Sequence, residues 1–114
     1  MTAIQSAYIH IPFCKQMCHY CNFVKYFYSE TRAPDYIQAL IKEMEHDLPA
    51  GNQPIRTIYI GGGTPTALTL EQLRTLLESI HKTFDISTIE EFTIEINPGD
   101  VNEEKVQLLH AYGV

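Results

Sequence analysis

The sequence predicts an α/β fold built on a parallel β-sheet. Three β-rich runs are each followed by a segment in which apolar residues recur at helical spacing, and strand–helix units in that order predict parallel strands joined by helical crossovers. An unusual segment lies at the end of each strand: a cysteine cluster, a glycine run and an acidic residue, Glu95. Ligand sites of parallel sheets lie at the carboxyl ends of the strands, so we expect the three segments to form one site.

The first unit begins with the β-rich run 7–11, which Pro12 ends. A loop rich in aromatic residues follows, from Phe13 to about Arg32, and it contains all three cysteines of the chain. Pro34 stands where the first turn of a helix tolerates proline. The helix after it is predicted from apolar residues at helical spacing, and 49–51 end it. These apolar residues are Tyr36, Ile37, Leu40, Ile41, Met44 and Leu48.

The second unit has a predicted strand at 56–60, which runs directly into Gly61-Gly62-Gly63-Thr64-Pro65-Thr66. Thr69 and Gln72 have the spacing of a capping box, so the next helix is expected to begin there. Its apolar face is predicted to consist of Leu70, Leu73, Leu76, Leu77 and Ile80.

The third unit has a predicted strand at 91–96 and a turn at 97–100. A helix from about Asn102 to Tyr112 follows, with Gly113 as the residue after its end. Its apolar positions are Val106, Leu108 and Leu109.

Length and charge limit the function classes. The 114 residues suffice for one domain, and no apolar run approaches the roughly 20 residues of a membrane helix. The net charge of -6 argues against a nucleic-acid backbone as the main partner. The N-terminus lacks the pattern of a signal peptide, so we expect a cytoplasmic protein. The chain stops where a fourth strand is expected, and a half-built sheet with an uncovered edge predicts poor folding of 1–114 alone.

The cysteines form the pattern Cys14-x3-Cys18-x2-Cys21. An odd number within eight consecutive residues indicates metal or redox chemistry rather than a disulfide framework. Three thiolates are one fewer than the four that usually close an iron–sulfur cubane, which leaves one iron open to a ligand. A zinc site that adds His10 or His19 is an alternative, although no second ligand pair follows. A redox dithiol of Cys18 and Cys21 is another, although it leaves Cys14 unexplained.

The glycine run and Glu95 are weaker signals by themselves. The run lacks the ending of a phosphate-binding P-loop and the spacing of a dinucleotide fingerprint, so it marks either a tight turn or a close approach of backbone to a ligand. Glu95 shares one strand face with Glu91 and Thr93, which is either a solvent-facing stripe or, at the ligand end, an acceptor for ribose hydroxyls. The histidines show no pairing and are interpreted as surface or core residues: His10, His19, His46, His81 and His110.

Three motifs together resemble a known family. They are the run from Tyr8 to Phe23 with its cysteines, the Gly61–Thr66 run, and Glu91-x3-Glu95-Ile96-Asn97-Pro98. Their order and intervals resemble the radical S-adenosylmethionine (SAM) family of oxygen-independent coproporphyrinogen III oxidases and their relatives. The resemblance covers nearly the whole of this chain. It covers only the early part of a full-length member of the family. It implies that 1–114 is the N-terminal part of a radical SAM core domain, the first half of a partial (β/α)6 barrel.

The resemblance also implies residue roles. A [4Fe–4S] cluster would be held by Cys14, Cys18 and Cys21. SAM would fill the open iron position, and an electron from the cluster would break one of its carbon–sulfur bonds. The SAM site would be lined by Tyr8 and by Tyr20, the latter near the adenine. The methionine end of SAM would contact Gly62, Gly63 and Thr64, and Glu95 would contact the cofactor farther along. Residues that act on a substrate are not predicted.

Two departures from the oxidases favour another branch of the family. The oxidases usually carry a fourth cysteine two residues beyond the third, where this chain has Phe23, and seven residues precede Tyr8 instead of a longer stretch. Both favour the radical SAM heme chaperones, which bind heme and pass it to acceptor proteins. The implied partners are heme or a porphyrin, a reductant protein and heme-acceptor proteins. The alternative to heme handling is oxidative decarboxylation of coproporphyrinogen III to protoporphyrinogen IX. The second alternative is a structural zinc-binding module.

Overall fold

The structure is a computed structural model and describes residues 6–14, 26–27, 32–47 and 53–114. Within these residues, strands and helices follow one another along the chain. They are β1 (Ser6–Ile11), β2 (Phe13–Cys14), β3 (Tyr26–Phe27), α1 (Arg32–Asp47), β4 (Gln53–Pro54), β5 (Thr57–Gly62), α2 (Leu70–Thr83), β6 (Phe84–Asp85), β7 (Glu91–Ile94) and α3 (Glu103–Ala111). Short 3-10 turns lie at Pro65–Ala67, Ile86–Thr88 and Pro98–Asp100.

The central sheet is parallel and has the strand order β1-β5-β7. Its register places Tyr8 beside Tyr59, and Tyr59 beside Thr93. The predicted α/β fold with a parallel sheet is therefore confirmed. Two further parallel pairs of two residues each, β2 with β3 and β4 with β6, extend the fold at its edges. The sequence did not predict them, because two residues carry no detectable alternation.

The core lies between one face of the central sheet and the helices. Ile9 and Ile11 of β1 and Ile58 and Ile60 of β5 are buried there. The helices contribute Ile37, Leu73, Leu76, Leu77 and Ile80, each at most 2% exposed. Burial of each such side chain stabilises the fold by about 1.5–3 kcal/mol, so this layer fixes the strands that carry the site.

The opposite face of the sheet is polar or aromatic and exposed. Tyr8, Tyr59, Thr93 and Glu95 lie on it, and the two tyrosines are 59% and 42% exposed. A parallel sheet buried on both faces has apolar residues on both. This face is therefore suited to line a ligand site rather than a packed interior.

The helix ends follow the predicted chemistry. The hydroxyl of Thr69 accepts a hydrogen bond from the Gln72 amide at 3.2 Å, and the Gln72 side chain accepts one from the Thr69 amide at 2.9 Å, which confirms the capping box of α2. The side chain of Asn102 caps α3 by accepting from the Lys105 amide at 2.8 Å. Gly113 has φ +90° and follows Tyr112, the C-cap of α3, as predicted for the residue after the end of the helix.

Several boundaries and side-chain positions differ from the prediction. The second strand extends to Gly62, so the first two glycines belong to it. β7 ends at Ile94, and Ile96 is 55% exposed instead of joining the core face. Val106 is 51% exposed because it lies on the outer side of α3. The predicted core position Leu48 lies outside the described residues. Among the helices that the structure describes, none combines the length and apolar character needed to cross a bilayer.

Candidate functional site

The turn that follows β5 is hydrogen-bonded to the chain that leads into the first cysteine. The amide of Gly63 donates to the Ile11 carbonyl at 2.8 Å, and the amide of Thr64 donates to the Phe13 carbonyl at 2.7 Å. Two consecutive amides therefore hold the glycine turn against the backbone next to Cys14. The predicted neighbourhood of the glycine run and the start of the cysteine loop is present in the fold.

Helix α1 holds this junction from the other side. Phe13 is 2% exposed and packs edge-on against the ring of Tyr36, with ring centroids 5.5 Å apart. The Tyr36 hydroxyl donates a hydrogen bond to the His10 carbonyl. Burial raises the pKa of Tyr36, with a contribution from Glu43, so the hydroxyl remains a donor at neutral pH. The entry to the cysteine loop is thus fixed by contacts that need no ligand.

Glu95 lies at the carboxyl end of the edge strand and reaches across to the glycine turn. Its amide donates to the Ile60 carbonyl at 3.0 Å, which continues the strand pairing by one residue. Its Oε1 atom accepts from the Gly62 amide at 2.9 Å. The interaction of the Tyr59 phenol with this carboxylate raises the pKa of the phenol. The Gly62 amide therefore orients Glu95 at the exposed face of the sheet.

The glycines make space for side chains of the chain itself. A Cβ atom on Gly61 would lie 2.4 Å from Oε1 of Glu95 and 2.7 Å from the Tyr59 ring. Gly62 has φ +115°, and its Cβ would lie 2.7 Å from the His10 ring and 2.9 Å from the Ile11 carbonyl. Backbone and neighbouring side chains thus approach each other closely at these glycines, and the predicted approach of the run to a ligand stays a prediction.

Two stacked tyrosines form the wall beside Glu95. The rings of Tyr8 and Tyr59 have centroids 5.9 Å apart and planes inclined by 16°. The hydrogen bond to Glu95 raises the pKa of Tyr59, and partial burial together with the Glu95 charge raises the pKa of Tyr8. Both phenols therefore stay neutral at physiological pH. With Gly62 and Glu95 they line a cavity of about 170 Å³.

The predicted site residues divide into three groups. Tyr8, Gly62 and Glu95 line this one cavity. Gly63 and Thr64 lie in the adjoining turn, hydrogen-bonded to the chain before Cys14. Cys18, Cys21 and Tyr20 lie outside the described residues, as does the side chain of Cys14, and their roles stay predictions.

Tyr59 was not singled out from the sequence, Gly61 was named only as part of the glycine run, and His10 was named only as a candidate zinc ligand or as a surface or core residue. The ring of His10 lies 3.1 Å from the Tyr8 hydroxyl, so this histidine belongs to the rim of the site. Alternation along the strands carries a signal for all three, because 8 and 10 on β1 and 59 and 61 on β5 share the face of Glu95. That signal becomes readable only when the register between the strands is known.

Family comparison agrees with this geometry. The model of the radical SAM superfamily matches residues 8–114. The chain belongs to the radical SAM superfamily. The match begins at Tyr8 and includes every segment that contributes to the site described above.

Individual bacterial proteins are similar over most of this chain. The Bacillus subtilis (strain 168) protein named heme chaperone HemW is 45% identical over 113 residues, which are 97% of this chain and 30% of that protein. The Lactococcus lactis (strain IL1403) protein of the same name is 44% identical over 104 residues, 91% of this chain and 27% of that protein. The chain thus spans about 30% or less of the length of these relatives.

A solved structure has the same fold. The coproporphyrinogen III oxidase HemN from Escherichia coli, described as a radical SAM enzyme, superposes with a TM-score of 0.84 and 29% sequence identity. The match covers 97% of this chain and 26% of that structure. The three strand–helix units are therefore a part of a radical SAM fold.

Proposed function

We propose that this chain carries the cluster and cofactor site of a cytoplasmic radical SAM heme chaperone. A [4Fe–4S] cluster would be held by Cys14, Cys18 and Cys21. The observation that carries the proposal is the junction at which the glycine turn is hydrogen-bonded both to the segment entering Cys14 and to Glu95. It brings a predicted metal segment and a predicted SAM segment to one edge of the sheet.

The donor set fits such a cluster. Three thiols within eight residues supply three of the usual four ligands and leave one iron accessible. Phe13, buried against Tyr36, anchors the segment so that the cysteines start from a fixed point. When bound, the reduced cluster supplies the electron that breaks a carbon–sulfur bond of SAM.

The cavity residues fit the polar groups of SAM. The Glu95 carboxylate remains exposed while it accepts from the Gly62 amide, and a carboxylate has capacity for further donors such as ribose hydroxyls. Gly62, Gly63 and Thr64 would lie against the methionine end, and Tyr8 and Tyr20 would line the remainder. Because the Gly62 amide already orients Glu95, little side-chain freedom is lost when a ligand binds.

Heme handling is favoured over porphyrinogen oxidation by two comparisons. The chain is 44–45% identical to two proteins named heme chaperone HemW and 29% identical to the oxidase HemN. Phe23 occupies the position of the fourth cysteine expected in the oxidases. The proposed partners are heme or a porphyrin, a reductant protein and a heme-acceptor protein.

Oxidative decarboxylation of coproporphyrinogen III remains the second candidate, because the solved structure with this fold is a coproporphyrinogen III oxidase. The two functions differ in a product assay. The reduced full-length protein, supplied with SAM and coproporphyrinogen III, should form no protoporphyrinogen IX if the heme chaperone proposal is correct.

The proposal is tested on the full-length protein, reconstituted with iron and sulfide without oxygen. We expect about four irons per chain, as in a [4Fe–4S] cluster, and stoichiometric binding of added heme. Cys18→Ala should lose the iron, whereas Met17→Ala, in the same segment, should retain it. Zinc in place of iron would support the structural zinc module, and the absence of heme binding would remove the chaperone function.

A further inference from the structure

A buried lysine joins the two turns that carry the site. Lys105 lies in the first turn of α3 and is 7% exposed. Its Nζ atom donates to the carbonyl of Thr66 at 2.7 Å and to the carbonyl of Asp100 at 3.0 Å. Thr66 belongs to the turn after β5, and Asp100 belongs to the turn after β7. One ammonium group therefore contacts both turns.

The position of this charge is energetically unfavourable in two respects. Lysine is almost never fully buried, because removal of an ammonium group from water costs free energy unless other groups compensate. A positive charge near the N-terminus of a helix also opposes the helix dipole. The Asn102 cap and two glutamates in the first turn, Glu103 and Glu104, reduce the second cost. A buried apolar residue would avoid both costs, so the observed contacts indicate a role beyond packing.

The lysine lies at the end of a series of cross-links between the same two turns. The Gly62 amide donates to Glu95 at 2.9 Å. Two residues after Glu95, the Asn97 amide donates to the Thr66 hydroxyl at 3.3 Å. Thr66 is fully buried, so the link it makes is protected from water. The Lys105 ammonium adds a contact from α3 to both turns.

We propose that Lys105 is a positioning residue that holds the turns after β5 and β7 together and thereby sets the distance between Gly62 and Glu95. The inference rests on the proposed SAM site for its consequence, since that distance determines where the Glu95 carboxylate meets a ligand. Its structural part, the coupling of the two turns, is independent of any cofactor.

The test compares three variants of the full-length protein. Lys105→Met removes the charge and keeps an apolar chain of similar length, Lys105→Arg keeps the cation, and Tyr112→Phe is the control. Tyr112 follows α3, and its hydroxyl donates to Glu78 of α2 at 3.1 Å, so its loss weakens helix packing at the other end of α3. Hydrogen exchange of the turn amides and the dissociation constant for SAM are measured for each.

In Lys105→Met, the amide hydrogens of 61–66 and 97–100 should exchange with solvent about tenfold faster than in the wild type. The variant should also bind SAM about tenfold more weakly, which is equivalent to about 1.4 kcal/mol. Lys105→Arg should restore both values to within about threefold, and Tyr112→Phe should leave both unchanged. Wild-type exchange and affinity in Lys105→Met would overturn the inference, as would equal losses in Tyr112→Phe. A wild-type protein that binds no SAM would remove the proposed function, and the exchange comparison would still decide whether Lys105 couples the turns.

Discussion

Substitution of Gly61 by alanine disturbs the wall of the cavity, because the added methyl group conflicts with the side chains of Glu95 and Tyr59 and not with backbone. The new Cβ would lie 2.4 Å from Oε1 of Glu95, and ordinary contact begins at 3.4 Å. The carboxylate must therefore retreat by about 1 Å. A shift of that size breaks its 2.9 Å hydrogen bond with the Gly62 amide.

The structure gives the expected magnitudes. A hydrogen bond to a charged group contributes about 1.5–3 kcal/mol, and the exposure of Glu95 favours the lower end. Because Glu95 is displaced from its position at the cavity, the affinity for SAM should fall about tenfold, which corresponds to about 1.4 kcal/mol. Gly61 does not have a positive φ, so alanine there gains about 0.4–1 kcal/mol through the unfolded chain, which offsets only part of the lost hydrogen bond. The free energy of unfolding should therefore fall by about 1 kcal/mol.

Calorimetric titration of the reconstituted full-length protein with SAM, combined with thermal unfolding, measures both quantities. Gly99→Ala is the matched control, since a Cβ on Gly99 meets its nearest atom at 3.7 Å, an ordinary contact. If Gly61→Ala binds SAM as tightly as Gly99→Ala does, the assignment of Glu95 to the cofactor site is refuted.

Three further outcomes follow from the same structure. Gly62→Ala should destabilise the fold by about 1–3 kcal/mol in thermal unfolding, because φ +115° is strained for alanine and the Ile11 carbonyl blocks its Cβ at 2.9 Å; unchanged stability would contradict this. Thr69→Ala should cost about 1 kcal/mol of unfolding free energy through the lost cap of α2, without a change in SAM affinity. The stabilising effect of the raised Tyr59 pKa is fully present below about pH 10 and is lost as pH rises through the folded-state value. Between neutral and strongly alkaline pH, the free energy of unfolding of Tyr59→Phe should therefore fall by less than that of the wild type. If the free energy of unfolding depends on pH in the same way in both proteins, the interaction with Glu95 has no such effect.

The helices and long strands were predictable because their signals are local. Leu73, Leu76, Leu77 and Ile80 recur at helical spacing, and all four are fully buried. The capping box at Thr69 requires no tertiary information, since both partners lie within one turn. Strand identity was equally local, although the ends of the strands shifted by one or two residues.

The meeting of the glycine turn with Glu95 was predictable in outline and not in mechanism. Parallel topology places both at one edge of the sheet, which the sequence suffices to indicate. The bond between the Gly62 amide and Glu95 and the interaction of Glu95 with Tyr59 depend on strand register, which is set by packing between residues far apart in sequence. The glycines also make room for the side chains of Glu95 and His10, which the sequence did not indicate.

Lys105 shows the limit of pattern reasoning. A lysine in the first turn of an amphipathic helix is expected on the solvent side, and the apolar residue beside it, Val106, is expected inside. The structure reverses both, with Lys105 7% and Val106 51% exposed. The carbonyls that compensate the buried ammonium come from Thr66 and Asp100, 39 and 5 residues away in sequence. No local spacing rule links such partners.

Electron paramagnetic resonance of the reduced, anaerobically reconstituted protein tests the central claim most directly. If three cysteines hold the cluster beside the cavity of Tyr8 and Glu95, addition of SAM should change the spectrum of the cluster. Glu95→Ala should require a higher SAM concentration for the same change. A cluster spectrum that SAM leaves unaltered at saturating concentration would contradict an iron open to this cavity.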